Sequence, residues 1–162
     1  MNAIETVKHG DTEVKILHDD DPPNPRQWAS GVLYVRTNRY FSGDKDAPSK
    51  PPRGAVCLKV SAYIHSGVTI WTGEAMSGPP GTQCQWDAAV CGFTFLDPAK
   101  GEEILGENWQ QGAEDLLRSE IAEYDMYLRG ECYMLEVDGN IETSGIIGLE
   151  AARAEALALA KL

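Results

Sequence analysis

One stretch limits what this chain can become: Trp109 to Gly130, WQQGAEDLLRSEIAEYDMYLRG, the longest segment with a clean helical period. Leu117, Ile121, Tyr124 and Leu128 recur at spacings that put them on one face of a 3.6-residue helix, and Trp109, Ala113 and Leu116 extend that stripe backwards. Glu114, Asp115, Glu120, Glu123 and Asp125 fall largely off the stripe and are expected to face water. Arg129 puts a cation at the negative helix end, and Gly130 is free to take positive φ, so the helix is predicted to stop there. Everything ahead of it reads as strands and loops.

Ala3–Lys8 and Val14–His18 are predicted as short strands around a turn at Gly10–Asp11. Asp19-Asp20-Asp21-Pro22-Pro23-Asn24-Pro25 cannot be helix or central strand, because its prolines lack the needed donors. Val32–Arg36 is β-rich, and residues 38–54 form a loop rich in proline, glycine and cations. Val56, Leu58, Val60, Ala62 and Ile64 alternate with Cys57, Lys59, Ser61, Tyr63 and His65, the period of a strand with one buried face. His65-Ser66-Gly67 then turns the chain, and Val68–Trp71 returns as the partner strand. Trp86–Phe95 is apolar throughout and reads as a central strand, with Gly92 marking a bulge or a close backbone approach. Cys132–Val137 and Ile141–Ile147 bracket the hairpin signal Asp138-Gly139-Asn140. The alanine-rich end from Glu150 is a final helix, whose Leu157 and Leu162 are too sparse for a wide core face. The expected fold is α+β: a mostly antiparallel sheet of six or seven strands packed against one long helix, plus a C-terminal helix. The expected division is a single domain over residues 1–148 followed by that helix over residues 149–162.

A chain of 162 residues can bury roughly 70% of its unfolded surface, enough for a self-sufficient core. No run of eighteen apolar residues and no basic-then-apolar leader is present, so neither a membrane span nor a secretory signal is expected, and the expected location is the bacterial cytoplasm. Cys57, Cys84, Cys91 and Cys132 form no CxxC pair, and His9, His18 and His65 show no zinc-ligand spacing, so the cysteines are read as reduced and structural. Of the net charge of −11, residues 61–162 hold seventeen acidic against five basic residues, while residues 1–60 are nearly balanced. That argues against direct nucleic-acid binding by the second part, where phosphates need cations, and no direct nucleic-acid partner is expected. An acidic face can instead meet a basic protein partner.

Three constellations invite a functional reading. Glu114, Asp115, Glu120, Glu123 and Asp125 can act as a docking row that imitates phosphates, the alternative being a solvated helix face. Asp19, Asp20 and Asp21 lack the spacing of a calcium loop and are read as accepting backbone N–H bonds and pairing with Arg26 or Arg39, so no metal is assigned. His65 can serve as a general base, but adjacent side chains diverge, so Ser66 is poorly placed beside it, and no GxSxG elbow exists. No catalytic residue and no cofactor is assigned, and GxGxxG and Gly-Lys-Ser/Thr phosphate loops are absent.

The ordered motifs DDDPxxPR (Asp19–Pro22, Pro25-Arg26), RYxxGD (Arg39-Tyr40, Gly43-Asp44), HSG (His65–Gly67), CxWD (Cys84, Trp86-Asp87) and ExxxYDxYLxGE (Glu120, Tyr124-Asp125, Tyr127-Leu128, Gly130-Glu131) resemble a group of small uncharacterised proteins of bacteriophages and other mobile elements. The resemblance covers about residues 16–131 and departs from the pattern at Trp28–Leu33, WASGVL, and at the Gly78–Gly81 insertion. It implies an origin rather than a mechanism. It also suggests that Asp19, Asp20, Asp21, Arg26, Arg39, Asp44, His65, Asp87 and Tyr124 converge at one sheet edge, as a site or a polar network that fixes long loops. The functional expectation is an accessory protein that binds a host protein complex, itself one that handles nucleic acid, and so inhibits a host defence nuclease, CRISPR or restriction system. The alternative is a small hydrolase or ligand-binding protein at the converging loops, with Asp19–Asp21, His65 and Asp87.

Overall fold

The alternating stretches do become strands, but on two sheets rather than one. The computed structural model describes residues 2–162. Among these the elements run β1 Glu5–His9, β2 Thr12–His18, β3 Val32–Val35, β4 Val56–Ile64, β5 Val68–Thr72, β6 Ala88–Leu96, α1 Pro98–Leu105, α2 Trp109–Leu128, β7 Cys132–Val137, β8 Asn140–Ile147 and α3 Leu149–Ala160. The α+β class stands. The single sheet of six or seven strands under one long helix is corrected to two four-stranded antiparallel sheets and three helices. By their contacts the residues fall into two units: those up to Asn24 together with Gly130–Leu162, and Pro25–Arg129. The second unit is an insertion between β2 and β7, which are themselves neighbours in the first sheet.

The first unit orders its strands β1-β2-β7-β8. Asp138 and Gly139 both take positive φ, 51° and 83°, forming the two-residue hairpin turn that their sequence predicts. Helix α3 packs on this sheet through Ala152, Ala156 and Ala160, all buried with Val14, Ile16, Tyr133 and Leu135. The expected weak core face of this helix is therefore corrected. Its leucines 157 and 162 are exposed, and the spaced methyl groups let the backbone approach the sheet closely. Arg153 Nε donates to Glu5 at 2.8 Å and ties the helix to β1.

The second unit orders its strands β3-β6-β4-β5, so β6 is central as its continuous apolar run predicts. One face carries Leu33, Val35, Val60, Ala62 and Ile70 against Ile121 and Tyr124 of α2, while Leu96 packs with Trp109, Ala113 and Leu117. Cys57 and Lys59, between the inward residues of β4, are exposed. Helix α1 was not anticipated. Its signal was nonetheless present: Asp97 caps Lys100 N at 3.0 Å, and Pro98 sits at the first helical position. Helix α2 runs as expected, and Gly130 beyond it has φ 76°.

Thr94 shares the inner face of β6 with Leu96 by strand alternation and is fully buried. Its hydroxyl has no hydrogen-bond partner among the described residues. Thr94→Val keeps the shape and removes the unsatisfied group, so it is expected to stabilise the protein by about 1 kcal/mol. The check is a higher urea midpoint at unchanged slope; a lower midpoint would show that the hydroxyl is satisfied in solution.

Candidate functional site

The β4–β5 hairpin sets up the most site-like geometry. Register pairs Tyr63 with Thr69 and Ile64 with Val68, leaving His65-Ser66-Gly67 as the turn. Ser66 sits at φ 60°, a left-handed conformation that costs an L-residue about 1 kcal/mol. On the other side of β4, Ile64 N donates to Asp87 O at 3.1 Å, which continues the ladder past Ala88 and brings Asp87 alongside His65. Asp87 Oδ2 lies 3.7 Å from His65 Nδ1, with the imidazole ring exposed. This is an ion-pair distance, too long for a hydrogen bond.

An open pocket of about 450 Å³ adjoins the turn. Its walls carry Tyr63, His65, Ser66, Thr69, Thr82 and Arg129, and Val68 and Leu128 supply apolar surface. Arg129 is steadied from its own helix: its Nε donates to Asp125 Oδ2 at 3.1 Å. The pocket thus offers hydroxyls and two basic side chains, and no carboxylate is among its lining residues. Such a lining suits an acidic or hydrogen-bond-accepting group.

Next to Asp87 in sequence is Trp86, with 84% of its surface exposed. The sequence reading placed it at the start of the central strand. The strand instead begins at Ala88, and Asp87 N and Ala88 N both donate to Cys84 O, closing a turn with the indole outside the core.

The other proposed loop residues form separate arrangements. Arg26 clasps Asp44 in a fork, Nε to Oδ1 at 2.8 Å and Nη2 to Oδ2 at 2.9 Å, and its Nη2 also donates to Gly31 O. Asp44 Oδ2 further accepts from Leu33 N, and Asp44 N donates to Leu33 O. Tyr124 joins the same loop by donating from its hydroxyl to Ser42 O at 2.7 Å, and burial pushes its phenol above the ordinary range. Arg39 lies over the ring of Tyr40, 5.2 Å from its centroid. In the first unit Asp19 accepts backbone N–H bonds, as expected, from Asp21 and Gly145; Asp20 and Asp21 are exposed. Arg26, Asp44 and Tyr124 therefore read as a loop-fixing network, while His65 and Asp87 form a pair at the pocket.

The acidic face of α2 is not what its spacing predicts. Asp125 is buried, accepting from Ile70 N at 2.9 Å, which corrects the expectation that it faces water. Glu120 accepts from Ser30 N and Gly31 N at 2.5 and 2.8 Å, and Glu123 accepts from Trp28 Nε1 at 3.3 Å. Glu114 and Asp115 do face water, and both lie within ion-pair distance of Arg118. A helical wheel ranks positions by angle, so it does not reveal when an off-stripe carboxylate caps a neighbouring strand or loop.

The cysteines are all free. Cys132 is buried, whereas Cys57 is exposed on the outer face of β4. Partial desolvation raises the thiol of the exposed Cys57, and burial raises that of Cys132 and pushes that of Cys91 up to about 11, which disfavours the reactive thiolate. Among the described residues no group of three or more His, Cys, Asp or Glu is placed to hold a metal ion, and no helix is long and apolar enough to cross a membrane. Compared with protein families, curated proteins and solved structures, the chain has no match in any of the three.

Proposed function

We propose that this chain is an accessory protein of a bacteriophage or related mobile element that acts by binding a host protein, with a defence nuclease complex as the target class. Its contact surface in this reading is the turn and pocket around His65 and Trp86 rather than the acidic face of α2. The observation that carries the reading is Trp86, a large amphipathic side chain 84% exposed and next in sequence to Asp87, whose carboxylate faces His65 at the pocket. Tryptophan is enriched among the residues that dominate binding energy, and a rigid ring held out of the core loses little entropy on docking. The resemblance in the motifs supports the origin. A second reading, a small ligand-binding protein or hydrolase, draws on the His65–Asp87 pair and the strained Ser66 turn.

Capture from a nuclease-treated bacterial lysate, with the wild-type protein and two variant sets immobilised in parallel, tests these readings. A host complex retained by wild type is expected to be lost with Trp86→Ala plus His65→Ala, and kept with Glu114→Lys plus Asp115→Lys. The reverse pattern would return the contact to the acidic helix. Retention by every variant would sink both surfaces. No retained protein, together with saturable binding of a small ligand that requires His65, would favour the second reading.

A further inference from the structure

The face of the second sheet opposite α2 carries a composition unlike the rest of this acidic chain. Register places Tyr34 directly opposite Phe93 on β3 and β6, and Phe93 directly opposite Lys59 on β6 and β4. Directly paired residues project from the same face, so the three side chains form one row across the sheet. The Tyr34 and Phe93 rings are 5.1 Å apart at an interplanar angle of 32°, and Phe93 continues to Phe95 at 6.1 Å. Arg36 follows two positions after Tyr34 on the same side, with its guanidinium donating to Val90 O. Tyr34, Arg36, Lys59 and Phe93, with Cys57 and Ser49, line an open cavity of about 460 Å³.

The charge of the segment that borders the cavity through Arg36, Ser49 and Lys59 is equally distinctive. Residues 36–59 hold six cations, Arg36, Arg39, Lys45, Lys50, Arg53 and Lys59, against two carboxylates, Asp44 and Asp46, in a chain of net charge −11. All six cations are exposed. Asp44 is already engaged by Arg26, and Lys59 is within 2.5 Å of Glu74 at an exposed site, where such a pair contributes little and exchanges readily.

We propose that this face binds single-stranded nucleic acid, with bases stacking on Phe93 and Tyr34 and phosphates meeting Arg36, Lys59 and the cations of the 36–59 segment. Half-buried aromatic rings on an open antiparallel sheet supply the sequence-tolerant part of such binding, and flanking cations supply the electrostatic part. The cations extend over a segment longer than the cavity lining, which suits a strand rather than one nucleotide. This site is separate from the Trp86 surface and does not depend on it. It also departs from the expectation of no direct nucleic-acid binding, which rested on the acidity of residues 61–162, because the charge of a stretch of sequence averages over faces that point in different directions.

The test is fluorescence anisotropy of labelled dT and rU oligomers of about twelve nucleotides with the full chain, at low salt and across a salt series. Micromolar binding that weakens with salt is expected. Phe93→Leu, which keeps apolar volume and removes the stacking face, is expected to weaken it about tenfold. Arg36→Glu is expected to weaken it and flatten the salt dependence; circular dichroism verifies the fold of each variant. Absence of binding at about 100 µM protein, weaker than ordinary non-specific association, would overturn the proposal. So would equal affinity of folded wild type and Phe93→Leu, equal affinity for a duplex, or displacement of the oligomer by a mononucleotide at the same concentration.

Discussion

Gly92→Ala is expected to destabilise the second unit by at least about 3 kcal/mol, among the largest effects available to a single methyl group. A Cβ built on Gly92 would lie 1.9 Å from Tyr34 O, 2.9 Å from Tyr34 C and 3.1 Å from Val35 Cα. All three are backbone atoms of the paired strand, so no side-chain rotamer can relieve the clash. The strand pair itself has to separate. The position coincides with a break in register, where Val60 pairs with Gly92 but Ser61 with Val90, leaving Cys91 as the extra residue of a bulge. All four tryptophans, at 28, 71, 86 and 109, belong to this unit, so the urea transition followed by their fluorescence reads the effect directly. A shift under about 1 kcal/mol would mean that β3 and β6 lie farther apart in solution than this geometry.

Arg26→Ala comes next, with an expected loss of about 3 kcal/mol. The Arg26 side chain is only 7% exposed and that of Asp44 22%, so truncation leaves a shielded carboxylate without its fork. Asp44 cannot simply turn to water, because its Oδ2 also accepts from Leu33 N and its own N–H donates to Leu33 O. The same substitution removes the donor to Gly31 O and so frees the loop that Glu120 holds from the other side. Arg26→Lys restores charge but not the two parallel bonds, and is expected to recover less than half of the loss. Fluorescence-detected urea unfolding again gives the answer. A loss within about 0.5 kcal/mol would reduce the pair to a surface contact.

Both residues were singled out by sequence, and for partly correct reasons. Gly92 in an otherwise continuous apolar strand signalled a bulge or a close approach, and both occur there. Arg26 was expected to pair with the Asp19–Asp21 cluster, but the fork it forms is with Asp44, eighteen positions away, across a segment that no periodicity describes. Asp125 shows the opposite failure. Its angle on the helical wheel points off the stripe, yet it is buried because the end of a β-sheet offers an unpaired N–H at Ile70. The alanine stripe of α3 was misjudged because small residues carry little hydrophobic signal, while their value lies in how closely they let a helix approach a sheet.

By itself the sequence determined the α+β class, the long helix and its stop at Gly130, the central position of β6, all three predicted hairpins and the final helix. Each of these follows from backbone preferences and from side-chain periods of 2 and 3.6, which are local properties. Only the tertiary structure decided that the strands form two sheets, that the acidic face of α2 is largely tied to the fold, that Trp86 stands in the open while Asp87 faces His65, and that Tyr34, Phe93 and Lys59 make one row. Those outcomes depend on which distant strands pair and in what register. Register is set by the joint fit of two faces, so no segment carries it alone.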